Sequence, residues 1–454
     1  MDALLLARWQ FGITTVYHFI FVPLTLGLSV LVAIMQTFYY RTGNETYKKM
    51  TLFWGKLFIV LFTLGVVTGI VQEFQFGMNW AEYSRFVGDI FGIPLAIEAL
   101  MAFFIESTFI GLWLFGWDRL SKPVHLACIW MVAIASNLSA VWILIANAWM
   151  QVPVGYVMRN DRAELADFVA ILLNERALVQ IPHTIIAGFV TGGLFVIGIS
   201  AWNLLHNHRR DMFMKSMRIA LVFTAVASLA TATTGHSQAQ ETVKTQPMKL
   251  AAMEALWETE EPASWSVVAW IDQENQMSRR ELRIPYLLSV MAHNNLTGEV
   301  RGIRDLQEEY EERHGPGNYA PPVAVIYWSF RLMVLLGMCF IGTSLWGLWM
   351  WWRERLHDHR LYLKTCMAVL FLPFLANTAG WIVAEMGRQP WIVYGLMLTE
   401  EGVSSIIGSA TVWISMISFT VLYGALAGLA FYLVYRFARP APDNSDELEK
   451  AHLY

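Results

Sequence analysis

The chain is short of the residues that soluble enzymes and secreted scaffolds rely on. Only 15% of its 454 residues are charged, and it has three cysteines. Cys128, Cys339 and Cys366 are scattered over apolar segments and form neither a CxxC pair nor a CxxCH site. Disulfide frameworks, zinc clusters and covalently attached c-type haem are thereby excluded. The net charge of −4 is small and gives no reason to expect a nucleic-acid partner. The N-terminus lacks a basic region and a small-residue cleavage site before its first long apolar run, so that run reads as a retained span.

What is present is hydrophobic. Apolar residues make up 56% of the chain, mean hydropathy is +0.44, and the 20 Trp and 27 Phe exceed what a soluble core of this size uses. The class is a polytopic, all-α membrane protein. Windows long enough to cross a bilayer fall about nine times, near 11–39, 52–76, 93–118, 124–147, 183–206, 215–235, 324–351, 363–386 and 406–436. The chain divides accordingly into six spans over 1–232, a polar connection over 233–322, three spans over 323–437 and a tail over 438–454. A connection of that length is usually functional or partly disordered. The tail, with Asp443, Asp446, Glu447 and Glu449, reads as a disordered cytoplasmic end. Short connections rich in Arg and Lys (Arg41, Lys48 and Lys49; Arg119 and Lys122; Arg209, Arg210 and Lys215; Arg353, Arg355 and Arg360) alternate with poorer ones. The positive-inside rule therefore puts the N-terminus and the long connection outside and the C-terminus in the cytoplasm.

Polar residues inside the spans are the exceptions that need a reason. The span beginning near Leu363 arrives at Glu385, with Arg388 three residues on and so near the same side of a helix. A bare carboxylate in hydrocarbon costs a few kcal/mol or more, so Glu385 has to be neutral, paired or bonded. His18 lies in the first span and His183 opens the fifth, whereas His206, His208, His357 and His359 sit beside basic clusters at span ends. Glu98 and Glu106 form a loose acidic stripe in the third span, with Ser107 beside Glu106. Counted from the outer boundaries, His18, Glu98, His183, Met333 and Glu385 all fall in the outer half of the bilayer, and Glu106 reaches the middle. A shared depth argues for one site. Haem iron uses His and Met together, and iron with a single protein ligand is left open to oxygen. An ion or proton transporter with Glu98, Glu106 and Glu385 as its relay would use the same residue types.

The chain also carries long, specific stretches over nearly its whole length. These are Tyr17-His18-Phe19 with Phe21-Val22-Pro23-Leu24-Thr25-Leu26-Gly27; Phe74-Gln75-Phe76-Gly77 with Asn79-Trp80; and Pro94-Leu95-Ala96-Ile97-Glu98. Further along come Ser136-Asn137-Leu138-Ser139-Ala140, Trp149-Met150-Gln151, Lys249-Leu250-Ala251-Ala252 with Glu254, and Gly387-Arg388-Gln389-Pro390-Trp391. With these stretches the chain resembles subunit I of the cytochrome bd quinol oxidases, and the resemblance implies a quinol:oxygen oxidoreductase in the bacterial cytoplasmic membrane that works with a second membrane subunit and, in some members, small single-span subunits. It implies His183 and Met333 as axial ligands of the low-spin haem b558, with Arg331 beside a propionate. His18 and Glu385 become ligands of the high-spin pair, haem b595 and haem d (or a third b-type haem in its place), with Glu98 beside them and Arg388 near a propionate. It assigns Lys249 and Glu254 to quinol oxidation, and Glu106, Ser107 and Ser139, with Asn147 nearby, to a proton track that generates proton motive force. The connection between Glu312 and Tyr319 lacks the long insertion of some members, which implies the short-loop branch.

Overall fold

The computed structural model describes residues 2–440. Among them, nine helical segments are long and apolar enough to cross a membrane. The first combines α1 (Ala3–His18) with α2 (Val22–Thr42), followed by α3 (Glu45–Met78). The third combines α4 (Ala81–Ile97), a π-helical segment (Glu98–Phe103) and α5 (Phe104–Phe115). Then come α6 (Lys122–Gln151), a small hairpin β1–β2 (Tyr156–Arg159, Arg162–Leu165), the short α7 (Phe168–Leu172), α8 (Glu175–Leu205) and α9 (Arg210–Thr245). The long connection holds α10 (Pro247–Glu254), hairpin β3–β4 (Trp265–Asp272, Met277–Ile284), α11 (Leu287–His293) and α12 (Ile303–His314). The last spans are α13 (Val323–Trp352), α14 (Arg360–Val369) with α15 (Leu372–Met386), and α17 (Ser409–Ala438); β5–β6 (Trp391–Val393, Met397–Leu398) and α16 (Thr399–Gly402) precede α17. The all-α expectation thus holds for the spans, with three two-stranded hairpins added outside them.

Helix α8 is the most enclosed span and α17 the least. The centre is tight because small residues let backbones touch. A Cβ added at Gly192 would lie 2.7 Å from the Cα of Gly27, and one at Gly27 would lie 2.7 Å from the carbonyl oxygen of Gly188. This is the small-xxx-small contact that lets transmembrane helices approach without side chains between them.

Three prolines accompany the polar residues, and one of them marks a break. Pro23, in the first turn of α2, has no N–H to continue the ladder, and the first span is interrupted at residues 19–21 directly after His18. Pro94 precedes the π-helical turn that begins at Glu98. Pro182 sits inside α8 immediately before His183. Hydropathy windows are blind to such breaks, so the expected unbroken segments 11–39 and 363–386 are each two helices. The connection is ordered throughout. Helix α9 runs unbroken past the expected boundary at 232 to Thr245, about 54 Å in all, with α10 and α11 packed on it and α10 and β3 packed on α13. Of the expected cytoplasmic tail, everything beyond residue 440 lies outside the described residues.

Candidate functional site

His18 is the last residue of α1, freed at its C-terminus by the break. Its Nδ1 lies 3.0 Å from Thr68 Oγ1 on α3. That hydroxyl donates to the carbonyl of Leu64 or Gly65, so it accepts from the imidazole and leaves Nε2 with its lone pair outward. A Cβ at Gly69 would come within 3.1 Å of His18 Cε1. His183 repeats the device. Its Nδ1 lies 3.2 Å from the Thr231 carbonyl and 3.3 Å from Thr234 Oγ1, and Gly235 leaves the space at its Cε1. Met333 has a third such notch, since a Cβ at Gly380 would lie 3.0 Å from its sulfur. The ring of Phe19 meets that of Trp381 at 4.9 Å, one residue from Gly380. Phe19, the residue after His18, and Met333 thus both meet the helix that carries Glu385.

Glu385 is paired. Arg388 Nη2 donates to its Oε2 at 2.6 Å and Asn147 Nδ2 to its Oε1 at 2.8 Å. The Asn147 carbonyl oxygen accepts from Gln180, three residues before His183. Asn147 belongs to a polar ladder along α6. Ser136 donates to Glu106, Ser139 donates to Glu98, Asn147 bridges Glu385 and Gln180, and Gln151 accepts from Lys249 at 2.5 Å and from Gln246 at 3.0 Å. From 136 to 151 that is about 22 Å of helix. Ser107 is not on it. Its hydroxyl, expected on the proton track, is exposed and donates back to the Phe104 carbonyl, and the serine that bonds Glu106 is Ser136 of the neighbouring helix.

Lys249 and Glu254 do not act as a pair. Five residues apart on α10, they point to different sides. Lys249, 2% exposed, lies against Gly387 and Gln151, with Arg176 and Arg388 close enough to repel its charge. Burial, then those two guanidinium groups, push its ammonium well below the usual lysine range, against the opposing pull of Glu385 and Glu241. Glu254 faces α13, where Arg331 Nη2 meets its Oε2 at 2.6 Å. Burial pushes that carboxyl up more than Arg331 pulls it down. All five N–H groups of Arg331 are taken by protein acceptors: Glu254, the Ser266 carbonyl and the Met253 carbonyl. A free propionate partner, the role expected of it, is therefore not what the structure places there.

Open donors lie elsewhere. Arg388 is 3% exposed, yet its Nη1 has no partner, and the buried Arg176 likewise leaves Nε unpaired while its Nη1 binds Glu241 at 2.7 Å. Lys249, Arg176 and Arg388 outnumber the two acids among them, which suits a buried anion. Arg176, Glu241, Gln180, Gln151, Gln246, Thr68 and Ser136 were not marked as functional from sequence. Ser136 and Gln151 stand in conspicuous motifs, and the others carry no local signal. Among the described residues no three His, Cys, Asp or Glu side chains converge to hold a bare ion. Two imidazoles with fixed tautomers, a thioether with a notch beside it and unpaired guanidinium donors fit porphyrin iron and its carboxylates.

Fold and site together define a multi-pass membrane protein built to carry haem, with acids and hydroxyls leading toward it. The family model for cytochrome bd terminal oxidase subunit I matches residues 6–442. A Bacillus subtilis (strain 168) protein named cytochrome bd ubiquinol oxidase subunit 1 is 48% identical over 437 residues, covering 96% of this chain and 93% of that one. Cytochrome bd-II ubiquinol oxidase subunit 1 of Escherichia coli (strain K12) is 40% identical, with 97% of each chain covered. The solved bd oxidase from Geobacillus thermodenitrificans superposes with a TM-score of 0.89 at 29% identity, over 97% of this chain and 99% of that one. The chain belongs to the cytochrome bd terminal oxidase subunit I family. It is a terminal quinol oxidase subunit of the bacterial cytoplasmic membrane, and the transporter alternative is set aside.

Proposed function

We propose that this subunit oxidises membrane quinol on the side of the long connection, taken as the outside, and reduces O2 to water with protons from the cytoplasm. The observation that carries the reading is the matched presentation of His18 and His183, each with Nδ1 tied to a neighbouring helix and a glycine at the ring edge. His183 and Met333 would hold the low-spin haem b558, and His18 and Glu385 would serve the high-spin pair, b595 and d or a third b-type haem. Bound haem supplies one-electron steps and, where iron keeps a single protein ligand, a place for O2.

The chain's own residues do the rest. Arg388 Nη1, Arg176 Nε and the Lys249 side chain would receive haem carboxylates. Glu254, whose burial favours its protonated form, accepts a quinol proton and passes it outward, while the Arg331 guanidinium holds the carboxyl in place. Glu106 with Ser136, and Glu98 with Ser139, pass protons along α6 toward Glu385 and Asn147. Proton uptake from one side and release on the other generates proton motive force without a separate pump. A second subunit, and in some assemblies small single-span ones, covers part of the exposed helix surface. Reduced-minus-oxidised spectra test the assignments. His183→Ala or Met333→Leu should abolish the low-spin b band while high-spin features persist. A retained low-spin band in both variants refutes the axial pair.

A further inference from the structure

Hairpin β3–β4 has its alternation turned outward. Ser266 and Ala269 are buried, whereas Val268, Trp270, Leu282 and Ile284 are 46%, 71%, 62% and 43% exposed. Val268 pairs with Leu282, Trp270 with Arg279 and Trp265 with Ile284, so the apolar side chains form one stripe. A hairpin facing water puts such residues inward. An exposed patch of this kind marks an interaction surface.

The depth of the stripe follows from α13. Its exposed Trp328 and Trp349 are 21 residues apart, about 31 Å along the helix. That matches the roughly 30 Å thickness of bilayer hydrocarbon, and tryptophan favours both interfaces. The turns of α13 beyond Trp328 therefore lie in the headgroup layer. Strand β3 runs along those turns. At its root Ser266 Oγ meets the Tyr327 hydroxyl at 3.0 Å and the Ser266 carbonyl accepts from Arg331. Just past its tip, Gln273 Nε2 reaches the Pro321 carbonyl at 3.5 Å.

From root to tip the exposed face reads Ile284, then Leu282 with Val268, then Arg280, then Trp270 beside its partner Arg279. The polarity suits a leaflet boundary: apolar residues deepest, with tryptophan and guanidinium together toward the headgroups. We infer that this face of β3–β4 is seated in the lipid headgroup layer, with Arg279 and Arg280 meeting anionic lipid. The root of the same hairpin holds the Glu254–Arg331 pair, so a membrane-borne quinol approaches that pair sideways from lipid.

The test uses the complete two-subunit oxidase in lipid nanodiscs. The background is Cys339→Ser, since Cys339 is the exposed native cysteine and Cys128 and Cys366 are buried. Nitroxides are placed singly at Val268→Cys, Leu282→Cys and, in the turn, Glu274→Cys, with an unchanged haem spectrum as the check on folding. Collision rates with O2 should exceed those with a water-soluble nickel chelate several-fold at 268 and 282, and the order should reverse at 274. Replacing phosphatidylcholine by phosphatidylglycerol should deepen both lipid-facing labels, and Arg279→Gln with Arg280→Gln should cancel that shift. Nickel access equal to O2 access at 268 and 282 means a water-facing hairpin, and protection from both reagents means a protein cover; either overturns the proposal. Insensitivity to lipid charge overturns the anionic-lipid contact.

Discussion

Arg331→Met should undock the long connection from α13 without disturbing the spans. Arg331 gives all five N–H groups to Glu254, Ser266 and Met253, and its guanidinium lies 4.3 Å from the Tyr327 ring centre and 5.0 Å from that of Trp265. Methionine keeps much of the stem's packing and removes every bond. What it leaves behind is a buried carboxylate and carbonyls that have lost their donor. Breaking a buried ion pair by removing one partner costs about 3–5 kcal/mol, equivalent to roughly two to three and a half powers of ten in the opening equilibrium. Hydrogen exchange of amides 255–290 in nanodiscs, normalised for intrinsic rates, should accelerate by about that factor. Exchange in α8 should stay unchanged.

The effect should depend on pH with a definite sign. Burial raises the Glu254 carboxyl above its ordinary value, and Arg331 is the largest influence opposing that rise. A raised folded-state pKa means the native site holds the proton more firmly than the unfolded chain does. Its contribution is full below the ordinary carboxylate range and is lost as pH rises through the raised value. With Arg331 gone the gap to the parent should therefore be small in acid and widen upward. Arg331→Met with Glu254→Leu should recover most of the protection, because well-packed apolar pairs replace buried ion pairs at little or no cost, while quinol oxidation stays lost. Exchange within about threefold of the parent in the single variant, or a double variant no better than the single, would refute the electrostatic account.

Two further outcomes follow from the packing. Thr68→Val removes the acceptor that fixes the His18 tautomer while keeping its shape; outer-shell losses of this kind cost about 10–100-fold in ligand affinity. The high-spin spectrum should weaken or shift in that variant and persist in Thr68→Ser, and an unchanged spectrum in Thr68→Val would show the contact to be incidental. Gly192→Val drives a side chain into the backbone of Gly27, a strain of about 1–3 kcal/mol or more. It should lower the thermal midpoint in detergent by several degrees, whereas Gly337→Ala, with nothing within 4 Å of the added carbon, should not.

What could be read along the chain and what could not divides by the range of the interaction. Spans, and the ionisable residues that interrupt them, are local signals: hydrocarbon makes His18, Glu98, Glu106, His183 and Glu385 costly enough to stand out. The break at Pro23 is equally visible as a residue, but hydropathy measures transfer and not backbone continuity. Partner choice is not local at all. Ser107 and Ser136 are both serines at plausible distances from Glu106 along the chain. Only the packing of α5 on α6 decides that the second faces the acid while the first turns back on its own helix. Arg331 likewise suits a propionate until the connection folds back and places Ser266 and Glu254 against it, 65 and 77 residues away in sequence. The apolar stripe of β3–β4 is hidden in the sequence for the opposite reason. Its alternation is short, interleaved with arginines and bulged twice, so composition marked it as polar connection. The residues that make it read as a loop, Arg279 and Arg280 beside Trp270, are those that suit it to the headgroup layer. Charge next to apolar surface signals solvent in a soluble protein and interface in a membrane one, and choosing between them requires the depth that α13 supplies.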